Sequence, residues 1–172
     1  LQTYSQNPMD LELTDIVNPR KEVMAQQILS QRQAADKLLA RDGKKSLYIF
    51  NKYILDIEKG KKKLAPFHRD LCNFVQDGRD KKKLILIPRG HLKSSLITIG
   101  YTTFRIINDP NIRTLVLSAT WQTAVDFVSE IKRNLAQNAN IHRLYGDFSQ
   151  GATEWSADRI TIHRTDNNIK GP

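Results

Sequence analysis

Lys93 and Ser94 close a short polar turn, Pro88-Arg89-Gly90-His91-Leu92. The apolar run Leu84-Ile85-Leu86-Ile87 leads into it and a second apolar stretch follows. An ammonium beside a hydroxyl at such a turn suits one kind of chemistry. The lysine can reach the terminal oxygens of a phosphate chain, and the hydroxyl can ligate the magnesium that accompanies them. The backbone must do the rest. A strand delivers the chain to a turn whose N–H groups face the anion, and a helix starting there adds its positive end. A lysine at a helix start opposes the helix dipole, and a bound phosphate would account for it. Gly90 supplies one flexible point in the turn.

The strict phosphate-loop pattern, GxxxxGK[ST], would fall on Ile87 to Ser94, and there Ile87 and Leu92 occupy the two glycine positions. By the bare pattern the match fails. By its physical parts (strand, turn, Lys93, Ser94, helix, in that order) it holds, so Arg89 through Ser95 are candidate phosphate-contacting residues and Ser94 is the candidate Mg²⁺ ligand.

The elements that must position this turn can be read from the apolar spacing. Residues 1–17 read as a polar arm. Asn18-Pro19 looks like a helix start, and Met24, Ile28, Ala35, Leu38 and Leu39 approximate a helical stripe that Gly43 ends. Leu47, Phe50, Ile54 and Ile57 share one face of a second helix, closed by Gly60. Pro66 opens a third, with Phe67, Leu71, Phe74 and Val75 inward. The run 84–87 and Thr114-Leu115-Val116-Leu117-Ser118 read as strands buried on both faces. Between them lies a helix from Lys93 to Ile107, with Leu96, Ile97, Gly100, Tyr101 and Phe104 on one side, stopped by the proline of "NDPN". About 30 residues separate the two strand starts, the size of one βαβ unit. A further helix from Thr120 to Gln137 points Ala124, Val128, Ile131 and Leu135 at the sheet, with Thr120 as its N-cap and Trp121 in packing. Arg159–Arg164 is strand-like. The expected architecture is α/β: a parallel sheet flanked by helices over 61–172, preceded by an N-terminal arm and helices over 1–60.

The 172 residues carry a net charge of +9, with a pI near 9.7. That balance points to polyanions. The runs Lys61-Lys62-Lys63 and Lys81-Lys82-Lys83 read either as solvated connectors or as DNA contacts, and charge alone does not choose. A membrane role is not expected, since no apolar stretch approaches the roughly 20 residues that a span needs, and the N-terminus has no signal-peptide pattern. The single cysteine, Cys72, excludes an internal disulfide and reads as a small buried hydrophobe. The four histidines lack metal-ligand spacing.

Arginine four residues before the lysine, R-x-x-x-K-[ST], resembles the deviant Walker A of large terminase subunits, the ATPases that drive DNA into viral capsids. Leu92 departs from the glycine usual before that lysine. "PFHRDLCNF" resembles the family's adenine-recognition segment, with Phe67 placed to stack on the base and His68 standing where glutamine is common. "TLVLSATWQTA" resembles its second strand and the following helix start, and residues 155–172 resemble the approach to Walker B. The resemblance covers roughly residues 60–172. It implies a P-loop (RecA/ASCE-like) fold, ATP and Mg²⁺ as ligands, and Lys93 and Arg89 as catalytic residues, Arg89 acting on γ-phosphate charge in the same subunit. It also implies coupling of hydrolysis to movement of double-stranded DNA, and a homo-oligomeric ring working with a portal protein and a small terminase subunit at the procapsid in the host cytoplasm. An arginine from the neighbouring subunit is a further expectation, with Arg105, Arg113, Arg133 and Arg143 as possible donors.

Hydrolysis also needs acidic groups to hold magnesium and orient water. No apolar run ending in such residues follows Lys93, so the sequence reads as a piece of a longer motor whose Walker B and nuclease lie beyond it. Two alternatives stand beside this reading: another P-loop DNA motor of helicase type, and a non-catalytic basic nucleic-acid-binding module.

Overall fold

The computed structural model describes residues 19–58 and 63–163. The expected arm, Gly60, the first two lysines of the 61–63 run and residues 164–172 lie outside them. The chain forms two compact units, residues 1–35 and 36–172. In the first, the described residues belong to helix α1, Pro19–Lys45, whose start carries Glu22 where the helix dipole favours an acid. Its apolar residues are too sparse to bury a face: Met24 and Ile28 are exposed.

In the second unit α1 runs on through Gly43, which the sequence suggested as its end. Gly43 is a contact glycine instead. A Cβ there would lie 2.2 Å from Ile54 Cδ1 and 2.6 Å from Tyr145 Oη. Helix α2, Leu47–Ile49, starts at Ser46, whose side chain accepts from Ile49 N, and continues as a π-helical segment, Phe50–Ile54. The spacing reading holds here, since Leu47, Phe50 and Ile54 are among the most buried side chains. Residues 47–55, grouped above with the N-terminal part, thus share the core of the second unit.

Helix α3 is Pro66–Gln76. Its buried face is His68, Cys72 and the expected Val75, while Phe67 and Phe74, also expected inward, are partly exposed and Leu71 is half-buried. The histidine can be inward because both ring nitrogens find backbone partners, as described below. Lys83 folds back on the end of α3 and donates to the carbonyls of Phe74, Val75 and Asp77, a cation at the negative end of a helix.

After the 88–92 turn comes a π-helical segment, Ser94–Tyr101, which passes into α4, Thr102–Asn108. Its inward residues are Leu96, Gly100, Thr103, Phe104 and Ile107. Helix α5, Trp121–Gln137, buries Ile131 and Leu135, and α6, Ala139–Tyr145, buries Ile141. These side chains form one core with Phe50 and Phe104, whose rings meet edge to face at 5.6 Å.

Among the described residues the one sheet is antiparallel and two-stranded, β1 Glu154–Trp155 with β2 Ile160–Thr161. The stretches 84–87 and 114–118, expected as strands, are not strands among the described residues: the backbone groups of 84–87 and 115–118 have no hydrogen bond there. Nor are they buried on both faces. Leu84, Leu86, Leu115 and Leu117 are 80–83% exposed, while Ile85 turns to the core. Alternation of this kind leaves one apolar face and both edges of each stretch open. No described helix is long and apolar enough to cross a membrane.

Candidate phosphate-binding site

The turn between residue 87 and the π-helical segment takes its shape from three local facts. Gly90 has φ +84°, where a glycine is at ease. Leu92 has φ +55°, the left-handed region that costs an L-residue roughly 1–2 kcal/mol. Lys93 follows at φ −52°, ψ −54°, already helical. The backbone at Leu92 therefore has the hand that the usual phosphate loop assigns to glycine, although the residue is not one. The Leu92 side chain is half-buried against the core, which offsets part of that cost.

The first bond of the helical segment is Leu96 N–H to Leu92 O, at 2.9 Å. Before it, the N–H groups of Gly90 through Ser95 donate to no acceptor among the described residues. Opposite signs of φ at Leu92 and Lys93 turn successive N–H groups to one side, the backbone concavity that receives anions. Lys93 and Ser94 are exposed, and neither side chain has a partner among the described residues. Ser95 is half-buried. Arg89 is exposed beside them, its carbonyl 3.0 Å from His91 Nδ1, which must donate because a carbonyl only accepts.

Phe67 and His68 come to the same place from α3. The Phe67 ring is 39% exposed, with its centroid 3.9 Å from that of His68 and 5.9 Å from that of His91. His68 is only 4% exposed. Its Nδ1 accepts from Ala65 N–H at 2.9 Å, so the ring proton sits on Nε2, which donates to His91 O at 3.2 Å. The protein itself thus engages both nitrogens of the histidine that the resemblance assigned to the base, and the exposed aromatic is Phe67. Nothing in residue type marks this role of His68; its helical spacing with Cys72 and Val75 was the available signal.

The residues present fit a polyphosphate: N–H groups, an ammonium and a hydroxyl close together in sequence, without partners among the described residues. For magnesium, Ser94 offers a single oxygen, and no cluster of three or more His, Cys, Asp or Glu occurs among the described residues. Several other candidates have partners within the chain. Arg133 pairs with Glu130 and Arg143 with Asp36. Arg105 lies over the Tyr101 ring and donates to its hydroxyl, and Arg113 is also engaged. Cys72 is buried, 3.7 Å from Asn51 Nδ2, and burial pushes its thiol pKa up. Thr120 caps α5 by accepting from Thr123 N–H at 3.2 Å. Trp121, expected in core or interface packing, is 67% exposed, which removes the core placement, and lines a groove with Leu115, Val125 and Ile160. No protein-family profile, curated protein or solved structure matches the chain.

Proposed function

We propose that this chain is the ATP-binding part of a viral DNA-packaging motor of the large-terminase type. In this reading the 84–87 and 114–118 stretches are strands of a parallel P-loop sheet that further strands complete. The observation that carries it is Leu92: a bulky residue held in a left-handed conformation, next to a run of open N–H groups, where a phosphate loop needs that geometry. Strain of this sort persists where a function requires it.

In the mechanism so proposed, the N–H groups of Gly90 through Ser95 hold the β- and γ-phosphate oxygens. Lys93 neutralises their charge, Ser94 turns its hydroxyl to the magnesium, and Arg89 stands in reach of charge developing on the γ-phosphate. Magnesium, when bound, would be held at the Ser94 hydroxyl and would supply Lewis-acid stabilisation of that charge. Phe67 offers a face for the base. The basic surface, including Lys81 and Lys82, contacts double-stranded DNA through its phosphates, with affinity falling steeply as salt rises. The ring, the portal and small-subunit partners, and action at the procapsid in the host cytoplasm belong to the same proposal. No apolar run ending in acidic residues follows Lys93 in the sequence, so these residues alone are expected to bind MgATP weakly and to turn none over.

The test is calorimetric titration of MgATP into the chain and into Lys93→Ala. Loss of about tenfold in affinity, about 1.4 kcal/mol, is expected. Equal affinity in the two would remove the phosphate role of Lys93 and favour a non-catalytic basic module.

A further inference from the structure

The loop that carries the proposed phosphate site is not held by its own residues alone. His68 N–H donates to Ala65 O at 3.0 Å and His68 Nδ1 takes back Ala65 N–H, so this side chain closes the start of α3 as the third helical residue often does. Its second nitrogen then leaves the helix altogether and donates to His91 O. That carbonyl belongs to the peptide immediately before Leu92, the residue at φ +55°. The bond fixes one side of the strained residue, and the packed Leu92 side chain fixes the other.

We infer that His68 is a positioning residue: its Nε2–H···O=C bond to His91 holds Leu92 left-handed and so keeps the backbone concavity formed at Leu92 and Lys93. An imidazole can do this only as the neutral Nε2–H tautomer, because Nδ1 is already committed as an acceptor. The assignment rests on the phosphate reading for its purpose but not for its geometry. It gives the histidine a task on the protein side of the site, where the resemblance put a reader of the base.

Gln and Glu at position 68 have the same reach and can both accept from Ala65 N–H, but only Gln keeps a donor for His91 O. In ligand-free protein, the Leu92 N–H to Hα coupling and carbon shifts are expected to report a left-handed residue in wild type and His68→Gln, and an ordinary φ in His68→Glu. MgATP affinity should stay within about twofold for His68→Gln and drop about tenfold for His68→Glu. A left-handed Leu92 in folded His68→Glu overturns the inference. Should that variant not fold, the nitrogen spectrum of wild type decides: a slowly exchanging proton on Nε2 of His68 supports the strap, and one on Nδ1 overturns it. If wild type shows the strap and the left-handed Leu92 yet binds no MgATP, the phosphate reading fails and the strap stands.

Discussion

Two junctions in this chain have the same plan and opposite endings. In each, an apolar stretch runs into a turn and then a helix: 84–87 into the segment beginning at Lys93, and 114–118 into α5. At the second, Thr120 adopts an extended conformation (φ −128°, ψ 147°) and its hydroxyl takes the Thr123 N–H. Ser46 and Asn138 treat α2 and α6 the same way, and His68 closes α3. The start at Lys93 has no such cap. It carries a cation where the dipole disfavours one, a left-handed leucine and a run of open N–H groups. Side chains close the starts of α2, α3, α5 and α6, and the start at Lys93 has no side-chain cap among the described residues, which is where the proposed phosphate would bind.

Three substitutions bear on the contrast between the junctions. The largest effect is expected behind the open junction. Gly100, buried in the π-helical segment, leaves room for Asn51, and an added Cβ would fall 2.0 Å from Asn51 Oδ1 and 3.0 Å from the Ser95 carbonyl. Asn51 is fully buried and donates to Leu96 O at 3.2 Å, so it has nowhere to retreat. Gly100→Ala should cost about 2 kcal/mol in urea unfolding, despite the better helix propensity of alanine. An unchanged midpoint would show that this segment is not anchored as described. Next, Thr120→Ala should cost about 1 kcal/mol in the same assay and leave MgATP affinity alone, since it removes only a cap. The smallest effect has the opposite sign. Lys93→Ala should raise stability by about 0.5 kcal/mol while weakening MgATP binding, because it removes a cation from a positive helix end. A loss of stability in Lys93→Ala would mean that the lysine serves the fold, and the contrast between the junctions would lose its meaning.

Much of this organisation could be read from residue order. The apolar spacing of Leu47, Phe50 and Ile54, the proline that opens α3, the "NDPN" stop and the Thr120 cap all act locally, through neighbours within a turn or two. What escaped depends on distant partners. His68 looks polar and so does not read as part of the inward stripe of α3; it is buried because Ala65 and His91 satisfy it. Gly43 looks like a terminator, and its role is to admit Ile54 and Tyr145. Lys83 looks like one more surface lysine until the end of α3 is beside it. The left-handed backbone at Leu92 leaves no mark in the identity of the residue, which argued against the phosphate loop, and only the backbone angle reveals it. The stretches 84–87 and 114–118, read as buried strands from their apolar runs, form no ladder among the described residues, because a run of apolar residues does not say which partner it pairs with.

The outward rows of Leu84, Leu86, Leu115 and Leu117 also bear on colloidal behaviour. Copies of the chain share these adhesive edges, and the net charge of +9 holds them apart. That repulsion reaches about 10 Å at 0.1 M salt and about 3 Å at 1 M. The molecule should therefore stay dispersed in dilute buffer and turn cloudy in brine, the reverse of the salting-in usual for a basic protein.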